Sequence, residues 1–198
     1  MEYNKYMAKR RKKTRSAFSN QLVVALLVFG FGLLTLWGAH RYFYIRSISL
    51  SDAVLAAYKA QRPNTASYPT HIEIDGITSI PVVEAGRENG VWTVSETSAN
   101  HVIQSALPGQ NGNIILYGHN LNTIFGYLMN IQAGTIINIR MTDGSLHRYT
   151  VTETHTVTPS QTELLAPTTH EVLTLYTCTG LLDSLRFVVR AVPVKNLN

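Results

Sequence analysis

The sequence predicts a mostly β domain carried behind one apolar N-terminal helix. Three observations predict it: short apolar runs separated by turn residues, a period-two stretch behind the turn pair Asp143-Gly144, and an uncharged run over residues 21–38. A length of 198 residues leaves room for one domain of ordinary size plus an appendage. Hydrophobic residues make up 45% of the chain, and 13 Gly with 7 Pro are too few for a collagen-like or wholly disordered chain.

The net charge of +5 points to nucleic acid until it is mapped. Residues 1–20 hold Lys5, Lys9, Arg10, Arg11, Lys12, Lys13 and Arg15 against one acid, Glu2, whereas the rest of the chain is close to neutral. The basic excess therefore belongs to a tail and not to a nucleic-acid-binding domain. Directly behind it, Gln21–Gly38 (QLVVALLVFGFGLLTLWG) contains no charge. A helix of that length spans about 27 Å, close to the hydrocarbon thickness of a bilayer. Only Arg41 and Arg46 follow closely, so the positive-inside rule places the N-terminus in the cytoplasm and the remainder outside. Trp37, His40, Tyr42 and Tyr44 suit the outer interface. A cleaved signal peptide is the competing reading, but cleavage after Ala39 needs a small residue two positions earlier, where Trp37 stands. The expected organisation is a cytoplasmic basic tail (1–20), a single-pass anchor (21–39), a stalk (40–67) and an extracellular domain (68–198).

Within the stalk, residues 45–61 are weakly helical, and RPNTASYPT then breaks the pattern with two prolines. His71–Asp75 and Ile80–Glu84 read as the first pair of strands. Thr97–Ala106 has helical spacing, and Pro108–Gly112 is a loop. Asn113–Tyr117 (NIILY) is continuously apolar, as a buried strand is. Thr123–Ile131 reads as a short helix with Phe125, Leu128 and Met129 inward, ended near Ala133-Gly134. Thr135–Met141 and Leu146–Thr158 flank Asp143-Gly144 as a hairpin, the second strand alternating Thr150, Thr152, Thr154, Thr156 and Thr158 with Tyr149, Val151, Glu153, His155 and Val157. Glu171–Thr177 and Leu185–Val194 are the last strands. Strands at this spacing, with two short helices, favour a sandwich or a closed barrel over a parallel sheet.

The only cysteine, Cys178, cannot form an internal disulfide, and an unpaired thiol in an exported domain is either a buried core residue or a nucleophile. It follows an apolar strand directly, and a strand end holds a side chain rigidly at a sheet rim. A thiolate needs a proton-accepting or positive neighbour. Of seven histidines, only His119 has the same setting: strand, then Gly118, then the imidazole. Arg186 opens the last strand, so it lies at the cysteine's end if the two strands are neighbours, and a guanidinium there can bind an oxyanion. Arg190 shares its face by period two and is a rival. His147, His155 and His170 lack metal-ligand spacing, and phosphate-loop or dinucleotide motifs are absent, so no metal or cofactor is expected.

Asn113–His119, the segment LTLYTC ending at Cys178, and Arg186–Ala191 together resemble the signature strands of sortases, membrane-anchored cysteine transpeptidases of mainly Gram-positive bacteria. The similarity covers roughly residues 68–194 and includes the Pro108-Gly109-x-x-Gly112-Asn113 lead-in. It implies a closed eight-stranded β-barrel with short helices, Cys178 as nucleophile, His119 as general acid/base, Arg186 as oxyanion or substrate clamp and Thr177 as a substrate-backbone contact. It further implies cleavage of a C-terminal LPxTG-like sorting signal on surface proteins through a thioacyl enzyme, resolved by a cell-wall precursor or pilin amine. Residues 158–170 match the loop that walls the signal pocket, with Leu164, Leu165, Ala166 and Pro167 as its apolar lining. The segment from Thr179 to Leu185, which helps govern access in the family, is short here. The single-anchor layout is closer to classes D or E, and the scattered Glu153, Glu163 and Glu171 do not establish the calcium site of some class A members. Two other classes remain: an L,D-type cysteine transpeptidase, from whose Ser-x-Gly-Cys pattern Tyr176-Thr177-Cys178 departs, and a membrane-tethered β domain with Cys178 merely buried.

Overall fold

The computed structural model describes residues 20–40, 67–74, 78–88 and 91–194. The tail and nearly all of the stalk, with the weak helix expected over residues 45–61, lie outside the described residues. Helix α1, Asn20–His40, is 21 residues long and apolar enough to cross a bilayer, and none of the residues in its apolar window is buried. Its Thr35 hydroxyl donates to the Gly32 carbonyl at 2.8 Å, so the one hydroxyl among its apolar side chains is satisfied within the helix.

Among the described residues, ten strands and three short 3-10 helices follow. The strands are β1 (Pro69–Ile74), β2 (Thr78–Ala85), β3 (Arg87–Glu88), β4 (Val91–Trp92), β5 (Ala99–Val102), β6 (Asn113–Gly118), β7 (Ile136–Met141), β8 (Leu146–Val157), β9 (Val172–Thr179) and β10 (Leu185–Pro193). Eight close a barrel in the order β1-β2-β5-β6-β9-β10-β8-β7, while β3 and β4 form a separate ribbon. Two pairs, β2/β5 and β6/β9, are parallel. The barrel interior holds Ile72, Ile80, Ile114, Leu116, Leu173, Leu175 and Val189. A second apolar cluster covers the outer face of β6, β9 and β10, where Ile115, Tyr117, Tyr176, Cys178 and Val188 lie beneath Trp92 and Leu165. Strands buried on both faces need no polar alternation, which is why β6 and β9 read as continuous apolar runs.

The hairpin forms as the turn pair requires. Gly144 adopts φ 81, and the Asp143 carboxylate accepts the Ser145 hydroxyl and amide at 2.7 and 2.9 Å. The strand behind it departs from strict alternation. The register with β10 shifts between Arg190 and Ala191, leaving Thr152 as the extra residue. Tyr149 and Val151 face the interior, but Glu153 and His155 then pair with the outward-facing Arg190 and Val188.

Three expectations are corrected. Thr97–Ala106 contains strand β5 and not a helix. Its apolar residues fall at helical intervals because both faces are buried, and its buried strand residues Asn100 and His101 are paired: His101 with Glu84 and Ser105, Asn100 with the Tyr117 carbonyl. Thr123–Ile131 condenses to one 3-10 turn, Gly126–Asn130. Three residues per turn stack Phe125 and Leu128 inward, and Met129 swings out to 38% exposure. A third short helix also forms, since Glu163–Leu165 and Leu181–Asp183 each make a single turn.

Candidate active site

The parallel pairing of β6 with β9 sets Gly118 opposite Thr177, so the residues that follow, His119 just past the end of β6 and Cys178 still within β9, come side by side. On the other edge of β9, antiparallel pairing sets Arg186 directly opposite Cys178. The cysteine is thus central, between a histidine and an arginine. His119 and Cys178 line one cavity of about 200 Å³ together with Val94, Glu96, Asn120, Leu121 and Asp183. Cys178 is 7% exposed and His119 keeps 29% of its side-chain surface, so the thiol is sheltered while the imidazole reaches solvent.

Local packing fixes each group. A Cβ at Gly118 would stand 2.8 Å from Ile124 Cγ2 and 3.4 Å from the Phe125 ring, so only glycine lets the chain pass there. The Thr177 hydroxyl donates to the Gly118 carbonyl at 2.8 Å, joining the two strand ends, and the Phe125 amide donates to the His119 carbonyl at 3.2 Å. Glu96, 83% exposed, sets Oε1 3.7 Å from His119 Nε2. Arg186 is fully buried, and its Nη1 donates to the carbonyls of Asp183 and Leu185 at 2.8 and 2.9 Å. The turn that presents the Asp183 carbonyl is strained, with Leu182 at φ 53 and Asp183 at φ 58. Burial pushes the Tyr176 phenol up to about 12, opposed by the charge of Arg186 and by its hydrogen bond to the hydroxyl.

The sequence-predicted residues divide in two. Leu165 is buried in the outer cluster with Cys178 and Leu164 packs against it, whereas Ala166 and Pro167 are half-buried outside it. Their loop is fastened by Asn113, whose side-chain amide donates to the carbonyls of Leu164 (3.0 Å) and Ala166 (3.1 Å) and accepts the Thr174 hydroxyl (2.6 Å). The Thr177 side chain lies outside the cavity lining, its hydroxyl committed to Gly118. Arg190 does share the face of Arg186, but it pairs with Thr174 and donates to Glu153 at 3.3 Å, well away from the thiol. Sequence reasoning missed Glu96 and Asp183 as cavity-lining groups; neither sits in a periodic segment, so no local signal marks them. Among the described residues, no three His, Cys, Asp or Glu side chains gather as a metal site.

The closed barrel brings a cysteine, a histidine and an arginine to one rim, the kinds of group that cysteine acyl transfer needs. The family model described as a Sortase domain matches residues 72–194, and the chain belongs to the sortase family. Sortase A from Corynebacterium diphtheriae is 30% identical, with 76% of this chain and 73% of that one covered at a TM-score of 0.55. A Clostridium perfringens Sortase D5 transpeptidase (24% identity, 75% and 91% covered, TM-score 0.55) and Streptococcus pneumoniae Sortase C (20%, 74% and 91%, 0.57) share the fold. No curated protein sequence matches the chain. Family and fold together make it a transpeptidase of the cell-wall type.

Proposed function

We propose that the protein cleaves a C-terminal LPxTG-like sorting signal and joins the upstream protein to a cell-wall or pilin amine. The observation that carries this reading is the placement of Cys178 between His119 and Arg186 at the ends of β6, β9 and β10. The Cys178 thiolate attacks the scissile carbonyl carbon, forming a C–S bond and an oxyanion that the Arg186 guanidinium stabilises. On collapse the C–N bond breaks, and His119 gives its proton to the leaving amine. The acceptor amine then attacks the thioester and loses a proton to His119, and the C–S bond breaks to return the sulfur. Leu164 and Leu165 wall the signal groove beside the thiol, with Ala166 and Pro167 extending that wall. Thr177 serves the site by tying the histidine-bearing strand to the cysteine-bearing one. The test is a screen of the full chain in detergent against LPxTG, LAxTG and LPxTA peptides with an amine acceptor. Transfer of at least one is expected; no thioacyl enzyme with any peptide would end the proposal.

Helix α1 serves as a single-pass anchor over residues 21–39, with the basic tail in the cytoplasm and the barrel outside the cell. A protease added to intact cells is therefore expected to release a fragment starting beyond about residue 45 and to leave residues 1–20 protected. A mature chain that begins at or after His40 would instead mean a cleaved signal.

A further inference from the structure

Tyr176 lies two residues before Cys178 in β9, on the same outer face and in the same apolar cluster. Across the ladder, Val188 stands opposite Tyr176 and Arg186 opposite Cys178, so Arg186 and Tyr176 are diagonal neighbours. Diagonal positions on one sheet face are within reach of aromatic and long side chains, and the Arg186 guanidinium, through its charge and a hydrogen bond, draws the buried Tyr176 phenol down against the effect of burial. Arginine only donates, so the phenol oxygen is the acceptor. The cation is thus held from two directions: Nη1 by the carbonyls of Asp183 and Leu185, and the fork by a phenol anchored in a fully paired strand. Of these supports, the Asp183 carbonyl rides on a turn with two non-glycine residues in the left-handed region. Tyr176 is the more rigid one.

We infer that Tyr176 is a positioning residue for the proposed reaction, its hydroxyl aiming the Arg186 guanidinium at the carbonyl attacked by Cys178. This rests on the transpeptidase roles proposed above for Cys178 and Arg186. A buried, neutral phenol suits the task, because it accepts from a cation without cancelling the charge that the oxyanion needs. Tyr176→Phe keeps the ring in its cluster and removes only the oxygen.

The experiment is a double-mutant cycle on the full chain in detergent: parent, Tyr176→Phe, Arg186→Ala and the double variant, assayed for peptide-to-amine transfer. Loss of a hydrogen bond to a charged group predicts a kcat about 10- to 100-fold lower in Tyr176→Phe. KM for the peptide should change by less than about twofold, because the group acts on turnover and not on uniform binding. In the Arg186→Ala background the same change should cost almost nothing. Tyr176→His, which keeps a ring and an acceptor nitrogen, should recover part of the loss. Unchanged kcat, an equal loss in both backgrounds, or a Tyr176→Phe chain that no longer folds would overturn the inference and assign Tyr176 to packing. If the parent itself transfers no peptide, the functional proposal fails, and the cycle is read instead on alkylation of Cys178 by iodoacetamide. There Tyr176→Phe should slow the reaction only while Arg186 is present; equal rates would reject the inference.

Discussion

Cys178→Ala is expected to abolish both peptide cleavage and amine transfer. Without the sulfur no acyl group can be held between the two half-reactions, and neither His119 nor Arg186 can replace it as nucleophile. The change is conservative for the fold, since it deletes one atom from a small side chain at the rim of the outer cluster. The variant should keep the thermal transition of the parent to within a few degrees while losing the intermediate. Intact-mass measurement after mixing with a sorting peptide reads this directly: the parent gains the acyl mass and the variant gains nothing. Turnover by Cys178→Ala at the parental rate would remove the acyl-enzyme mechanism.

His119→Ala and Arg186→Ala should separate by cause. Loss of general acid–base help at His119 is expected to cost about 10²–10⁴-fold in kcat/KM, with the thiol still present. Arg186→Ala withdraws charged hydrogen bonding from the developing oxyanion and should cost roughly 10²–10³-fold in kcat. It also leaves the Asp183 and Leu185 carbonyls without their guanidinium donor, so its thermal transition must be measured alongside. Arg186→Lys should rescue poorly, because an ammonium cannot serve two carbonyls, a phenol and an oxyanion as a planar fork does. Arg190→Ala is the control. Its guanidinium is engaged by Glu153 on the neighbouring strand β8, and its removal should leave transfer near the parental rate. Equal damage from Arg190→Ala and Arg186→Ala would show that the oxyanion lies further along β10 than the register places it.

How much of this was legible depended on whether the physical cause was local. The Asp143-Gly144 hairpin and the apolar strands around Ile115 and Leu175 announce themselves, because turn geometry and two-sided burial act on neighbouring residues. Strand β5 was hidden since Asn100 and His101 find their partners on other segments. The shift at Thr152 depends on β10 and leaves the alternation in the sequence unbroken. The three residues proposed for chemistry could be picked out one by one from their strand-end settings. Their meeting is another matter: His119 and Cys178 come together only because β6 and β9, far apart in the chain, lie parallel in the register that sets Gly118 opposite Thr177. Glu96 and Asp183 reach the same cavity from loops whose course follows from the barrel and not from their own residues.

The closure of the barrel has a consequence for how a peptide is read. Many proteins capture an extended peptide by letting it join an open sheet as one more strand, so that the main chain supplies affinity whatever the side chains are. Here every barrel strand already has a neighbour on both sides, and β9 and β10, the strands that carry Cys178 and Arg186, are paired along both of their edges. A sorting peptide bound beside Cys178 as proposed would therefore meet side chains and loop backbone, not a ladder waiting to be extended. In that reading discrimination would fall to segments such as 158–171 and 180–184, which can change length and composition while the strand register that brings the three groups together stays untouched. Recruitment of new substrates is thereby uncoupled from the chemistry performed on them.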